Sequence, residues 1–153
     1  MILVLYLGSP YFDFLIGLAI IIVTSEVFFS TNRHLGWTLF SAIYIAFSGY
    51  ALITLRGDTE TGFSTVCWLF ILVWSADVGA YIFGLIFGGP KFAPRVSPKK
   101  TWSGFCGALV LSGISGLIAA YLMNIPAIWT LTALSSILGA ISQYGDLLES
   151  WLK

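Results

Sequence analysis

Asp77 interrupts the apolar run VWSADVGAYIFG, and Asp146 lies in SQYGDLLES near the end of a later apolar stretch. Between them PRVSPKKTWSGF (Pro94–Phe105) holds Arg95, Lys99 and Lys100, three of the seven Lys and Arg residues in the chain. Carboxylates bind hard cations such as Mg2+ through oxygen, and lysines bind phosphate as point charges. Brought to one face, these groups suit a metal–polyphosphate ligand. Ser97 is expected to cap the next helix, with Pro98 as its first residue. Free backbone N–H groups and the positive dipole end would then point at the loop and hold an anion. Lys100-Thr101 has the look of the end of a Walker motif, but the G-x-x-x-x-G that must precede it is absent, which excludes a P-loop. Neither a G-x-S-x-G elbow nor an H-E-x-x-H motif occurs, and the lone His34 has no Cys or His partner in sequence.

The elements that must position these residues are membrane spans. The 153 residues are 58% hydrophobic and 9% charged, and the mean hydropathy is +0.94. A soluble domain would carry about 25% charged residues. Five stretches reach the roughly 20 apolar residues that a spanning helix needs: Tyr11–Phe29, Gly36–Leu55, Ser64–Phe87, Gly104–Leu122 and Ala127–Leu148. The expected fold is therefore an all-α polytopic transmembrane bundle of about five helices, read as a single domain over residues 1–153. No basic n-region precedes the first apolar segment, so no cleavable leader is expected. Arg33, Lys91, Arg95, Lys99, Lys100 and Lys153 fall on one side of these spans, with only Arg56 on the other. The excess of Lys and Arg puts the basic loop in the cytoplasm and the N-terminus outside.

Small residues mark expected helix contacts. Gly104, Ala108, Ser112, Gly116 and Ala120 recur at every fourth position. Ser135, Gly139, Ser142 and Asp146 share a helical face, as do Asp77, Tyr81, Gly84 and Gly88. Asp77 is expected to be the most buried of the candidate carboxylates, because ionisable groups within a span face the bundle interior or a hydrated cavity. Glu26 and Glu149 fit interfacial positions equally well with or without a role. Cys67 and Cys106 lie in apolar segments and read as small core residues rather than a disulfide or metal pair.

WSADVGAYIFGLIFGGPKFAPRVSPKKTWSGFCG closely resembles the middle of the phosphatidate cytidylyltransferases, or CDP-diacylglycerol synthases, in which W-x-x-D-x-x-A-Y-x-x-G leads through a basic loop into S-P-x-K-T-x-x-G. YGDLLESWLK is similar to the G-D-L-x-E-S-x-x-K that opens the family's C-terminal signature, and YIAFSGYALITLR is compatible with the span upstream. The similarity runs from about Ala42 to Lys153. It implies transfer of a cytidylyl group from CTP to phosphatidate, giving CDP-diacylglycerol and pyrophosphate for phospholipid synthesis, with Mg2+ as cofactor. It further implies Asp146 and Asp77 as metal-binding and catalytic groups. Ser97, Lys99, Lys100, Thr101 and Arg95 would bind the nucleotide phosphates, Lys100 also being catalytic. The partners implied are CTP, phosphatidate and membrane lipids, with a homodimer open and no nucleic acid. The implied location is a bacterial inner membrane with the active face cytoplasmic.

The family pattern continues beyond the position of Lys153 into H-G-G and two aspartates around an arginine. On this resemblance residues 1–153 are expected to be a C-terminally truncated domain that inserts into membranes but makes no CDP-diacylglycerol alone. Two alternatives remain at this point. One is a CTP-dependent polyprenol or phytol kinase, which uses a similar serine–lysine–threonine loop. The other is a transporter-like protein in which Asp77 relays ions and the loop only sets topology.

Overall fold

The computed structural model describes residues 2–30, 35–58, 60–94 and 96–152. The element order is α1 (Ile2–Leu7), α2 (Tyr11–Ser30), α3 (Leu35–Arg56), α4 (Gly62–Ile86), β1 (Lys91–Ala93), β2 (Ser97–Thr101), α5 (Trp102–Leu122) and α6 (Ile128–Leu152). This is an all-α polytopic membrane protein with one small hairpin between α4 and α5. Among the described residues four helices, α2 to α5, are both long and apolar enough to cross a membrane. The expected fifth span is a helix of 25 residues, but it is more polar than the others. Ser135, Ser136, Ser142, Gln143 and Asp146 give it a hydrophilic stripe.

The chain divides into two compact units, Met1–Val66 and Cys67–Leu152. In the first, Gly49 of α3 lies against Ile16 and Ile20 of α2, and a Cβ at Gly49 would run into both side chains. Phe12 and Ile16 are buried here. Arg56, which the sequence set apart from the other basic residues, has a structural task. Its Nε donates to the Leu5 carbonyl at 2.9 Å and its Nη2 to that of Tyr6 at 3.4 Å. These are carbonyls at the end of α1, where a helix leaves acceptors unpaired and a cation is favourable. The guanidinium also lies 5.9 Å from the centre of the Phe63 ring. In the turn before α4, Asp58 accepts from the Glu60 N–H at 3.0 Å and the Thr61 hydroxyl at 3.0 Å. The Glu60 N–H first, then Thr61, holds the Asp58 carboxyl below its ordinary pKa.

In the second unit α5 has small residues on two faces. Towards α4, a Cβ on Gly107 would meet the Gly79 carbonyl and the Phe83 side chain, and one on Gly104 would lie 2.7 Å from the Ala80 carbonyl oxygen. Towards α6, Gly116 faces Ser135, and Gly139 faces Ser112. The every-fourth stripe read from the sequence is buried as expected: Gly104, Ala108, Ser112, Gly116 and Ala120. Such close approach trades side-chain volume for backbone contact and interhelical hydrogen bonds. Trp68 Nε1 donates to Ser135 Oγ at 3.3 Å and Ser136 Oγ to the Leu109 carbonyl at 3.2 Å. Gly107→Val is expected to destabilise the unit by about 1–3 kcal/mol through overpacking, read as a lower melting temperature in detergent. Gly17→Ala serves as the control, since its Cβ would have no atom within 4 Å.

Three sequence expectations need correction. Of the stripe Asp77, Tyr81 and Gly84, only Gly84 approaches α5, where a Cβ would lie 3.1 Å from Thr101 Oγ1; Tyr81 is exposed, and Leu72, Ala76 and Gly79 are buried instead. Asp77 is accordingly exposed, because the neighbouring alanine and glycine permit the tight helix contact that an aspartate would block. Cys67 is half-buried and Cys106 exposed, so Cys106 is not a core residue. Finally, Ser97 and Pro98 do not start a helix. They lie in β2, which pairs antiparallel with β1 through Lys91 opposite Thr101 and Ala93 opposite Ser97. A residue before proline is pushed to extended backbone, and a two-stranded ribbon tolerates the missing N–H. The N-cap of α5 is Thr101, with φ −117° and ψ 157° and its hydroxyl accepting from the Gly104 N–H at 3.2 Å.

Candidate active site

A cleft of about 440 Å³ opens within the Cys67–Leu152 unit, between α4, the hairpin, α5 and α6. Its position follows from the helix ends. Gly88 and Gly89, at φ +56° and +101°, take left-handed conformations that turn the chain from α4 into β1. The hairpin then returns to α5, with the Trp102 N–H donating to the Pro90 carbonyl at 3.1 Å. Phe92 on β1 fixes this turn against the helices. It stacks on Phe105 with centroids 5.0 Å apart and meets the Trp102 ring edge-on at 4.7 Å. Tyr144 of α6 approaches Phe92 at 5.9 Å. Aromatic pairs of this kind each contribute about 0.5–1.5 kcal/mol beyond area burial.

Lys99 and Lys100 both line the cleft, Lys99 exposed and Lys100 half-buried. Lys100 Nζ donates to Asp146 Oδ2 at 3.0 Å, to the Gln143 main-chain carbonyl at 3.1 Å and to Gln143 Oε1 at 3.3 Å. Gln143 Nε2 donates to Asp77 Oδ1 at 3.4 Å. A single chain of polar contacts thus links α4, α6 and β2 through the residues Asp77, Gln143, Lys100 and Asp146.

The sequence candidates are distributed unevenly about this cleft. Asp77, Asp146, Lys99, Lys100 and Thr101 all line it. The Thr101 hydroxyl is committed to the helix cap and lies 3.0 Å from Ser103 Oγ, which in turn donates to the Gly88 carbonyl. Ser97 sits at the other end of β2 opposite Ala93 and does not line the cleft. Arg95, like His34, falls outside the described residues. Glu26 is exposed on α2, in the other unit. Sequence inspection passed over Phe92 and Gln143. The signal for Gln143 was present: it lies four residues after Gly139 and three before Asp146, on the same polar stripe of α6.

Among the described residues no group of three or more His, Cys, Asp or Glu side chains could by itself hold a metal. Asp77 and Asp146 nevertheless line one cleft beside two ammonium groups. This donor set fits Mg2+, which keeps several waters and is bound by one or two carboxylates together with substrate phosphates. It does not fit a cation caged by protein alone. A cleft with Lys99 and Lys100 on one wall and carboxylates on the facing helices can therefore accept a polyphosphate and its counter-cation together.

The model of the Cytidylyltransferase family matches residues 1–153. The chain is 44% identical over 137 residues to a phosphatidate cytidylyltransferase of Brucella suis, covering 90% of this chain and 49% of the relative. It is 33% identical over 140 residues to one from Staphylococcus saprophyticus, covering 91% and 54% respectively. The chain thus spans about half the length of the curated relatives it matches. No solved structure matches it. With the family match running through both the helical stripes and the basic hairpin, the chain belongs to the cytidylyltransferase family.

Proposed function

We propose that the cleft binds CTP with Mg2+ and serves in transfer of the cytidylyl group to phosphatidate, giving CDP-diacylglycerol and pyrophosphate. The observation that carries this is the placement of Lys100 between Asp146 and Gln143, with Asp77 on the facing helix. The names of the relatives from Brucella suis and Staphylococcus saprophyticus support the same substrate pair. The basic hairpin faces the cytoplasm, where CTP is found, by the excess of Lys and Arg on that side. The membrane is the bacterial inner membrane.

In this reaction a phosphate oxygen of phosphatidate attacks the α-phosphorus of CTP. The bond from that phosphorus to the bridging oxygen breaks, and pyrophosphate leaves with the electron pair. Nothing in this exchange needs a covalent protein nucleophile; catalysis rests on positioning and charge neutralisation. Asp146 and Asp77 would hold Mg2+, which when bound offsets the charge of the triphosphate. Lys100 exchanges its contact with Asp146 for a phosphate oxygen, and Lys99 adds a second cation at the cleft wall. The resting Lys100–Asp146 pair has side chains 23% and 50% exposed. A pair so open to solvent is worth about 0–1 kcal/mol, so the exchange costs little.

The test is label transfer in membranes containing the full-length protein, with CTP labelled at the α- or the γ-phosphorus. With phosphatidate present, α-label is expected in a lipid that runs with CDP-diacylglycerol on thin-layer plates, and γ-label in pyrophosphate. Label from the γ position in lipid would instead identify a CTP-dependent lipid kinase. No lipid label from either position would remove the assignment.

A further inference from the structure

We propose that Gln143 is a positioning residue that holds Lys100 ready for the CTP phosphates and sets its separation from Asp77, a role that rests on the cleft being the CTP site. Gln143 is only 4% exposed. A buried amide is costly unless both its ends are bonded, and here both are. Its oxygen accepts from the Lys100 ammonium at 3.3 Å, and its nitrogen donates to the Asp77 carboxylate at 3.4 Å. Among side chains of this length only glutamine presents an acceptor to a cation and a donor to an anion at once. Glutamate would bond Lys100 but repel Asp77, and methionine would fill the space and bond neither.

The lysine contacts give the arrangement its consequence. An ammonium has three donors, and among the described residues Lys100 makes three contacts, one to Asp146 and two to Gln143. When a phosphate replaces Asp146 as the anion, the two Gln143 contacts can stay. The long lysine side chain then keeps its place through the exchange instead of being ordered at the moment of binding. Lysine is among the side chains that lose most rotamer freedom on being fixed, so prior ordering favours affinity.

The experiment is equilibrium dialysis of labelled CTP at saturating Mg2+ against the full-length protein in detergent. Gln143→Met is expected to weaken CTP binding about tenfold, the low end of the loss for a charge-assisted contact. In a Lys100→Ala background the same substitution is expected to change affinity by less than about twofold, because the group it positions is gone. A Gln143 that only fills space would weaken binding by the same factor in both backgrounds, and that result overturns the proposal. So does wild-type affinity in Gln143→Met. A second pair of variants keeps the residue polar and guards against misfolding. Gln143→Glu places a carboxylate beside Asp77 and is expected to weaken CTP binding, and adding Asp77→Asn, which restores a donor opposite the new acceptor, is expected to recover part of that loss when both variants are dialysed without Mg2+, so that the metal-holding role of Asp77 does not enter. No recovery counts against a positioning role. Unchanged CTP affinity in Lys100→Ala alone would instead refute the cleft as the CTP site, a failure distinguishable from that of Gln143.

Discussion

Asp146→Asn in the full-length protein is expected to abolish cytidylyl transfer while leaving the protein folded and inserted. Asparagine keeps the size of the side chain and one acceptor for Lys100, so the 3.0 Å contact across the cleft loses its charge rather than its geometry. What disappears is the negative oxygen that a hard divalent cation requires. Partners outside the ligand shell of a metal already cost about 10–100-fold when replaced, so loss of a direct ligand should cost at least roughly 100-fold in turnover. Binding should separate two effects. The Mg2+ dependence of CTP binding is expected to vanish, while metal-free binding holds or strengthens because Lys100 is released from its carboxylate. Ordinary activity at ordinary Mg2+ would remove Asp146 from any metal site.

Lys100→Ala is expected to raise the CTP dissociation constant roughly ten- to a hundredfold, the loss of a hydrogen bond to a charged group being about 1.5–3 kcal/mol. Stability should move far less. The pair with Asp146 is partly solvated, the Asp146 side chain being half exposed even with Lys100 in contact; a contact of that kind is worth about 1 kcal/mol or less after screening. The combination of a large loss in affinity and a small shift in melting temperature is the expected signature. Isothermal titration with CTP, beside thermal denaturation in the same detergent, reads both. Equal affinity in the variant and the wild type would reduce the hairpin to a topology signal.

The helix pattern was legible because the membrane imposes a length and a composition on each span, and because the stripe from Gly104 to Ala120 repeats at a helical interval. The site was legible in part for a related reason. Asp77 and Asp146 stand out where ionisable residues are costly, and Lys99 and Lys100 stand out in a chain with few charges. Local geometry between spans was not legible. Strands of three and five residues carry too little pattern to register, and Ser-Pro reads equally as a helix start or as an extended step. The structure takes the second and moves the cap to Thr101. Asp77 shows a further limit. Its helical face was correctly grouped with Tyr81 and Gly84, but that face lines the cleft while Ala76 and Gly79 pack. Gln143 was missed because an uncharged amide draws notice only when its neighbours are known.

On the proposed function, CTP is held in this cleft by the Lys100 wall and the carboxylates opposite. The most direct test is dialysis of α-labelled CTP against purified full-length protein, with and without Mg2+, for the wild type and for the doubly substituted Lys100→Ala, Asp146→Asn protein. Saturable, Mg2+-dependent retention by the wild type and its loss in the double variant, both proteins melting at similar temperatures, is the expected result. Retention by the double variant with wild-type affinity and wild-type Mg2+ dependence would contradict it and place the nucleotide elsewhere.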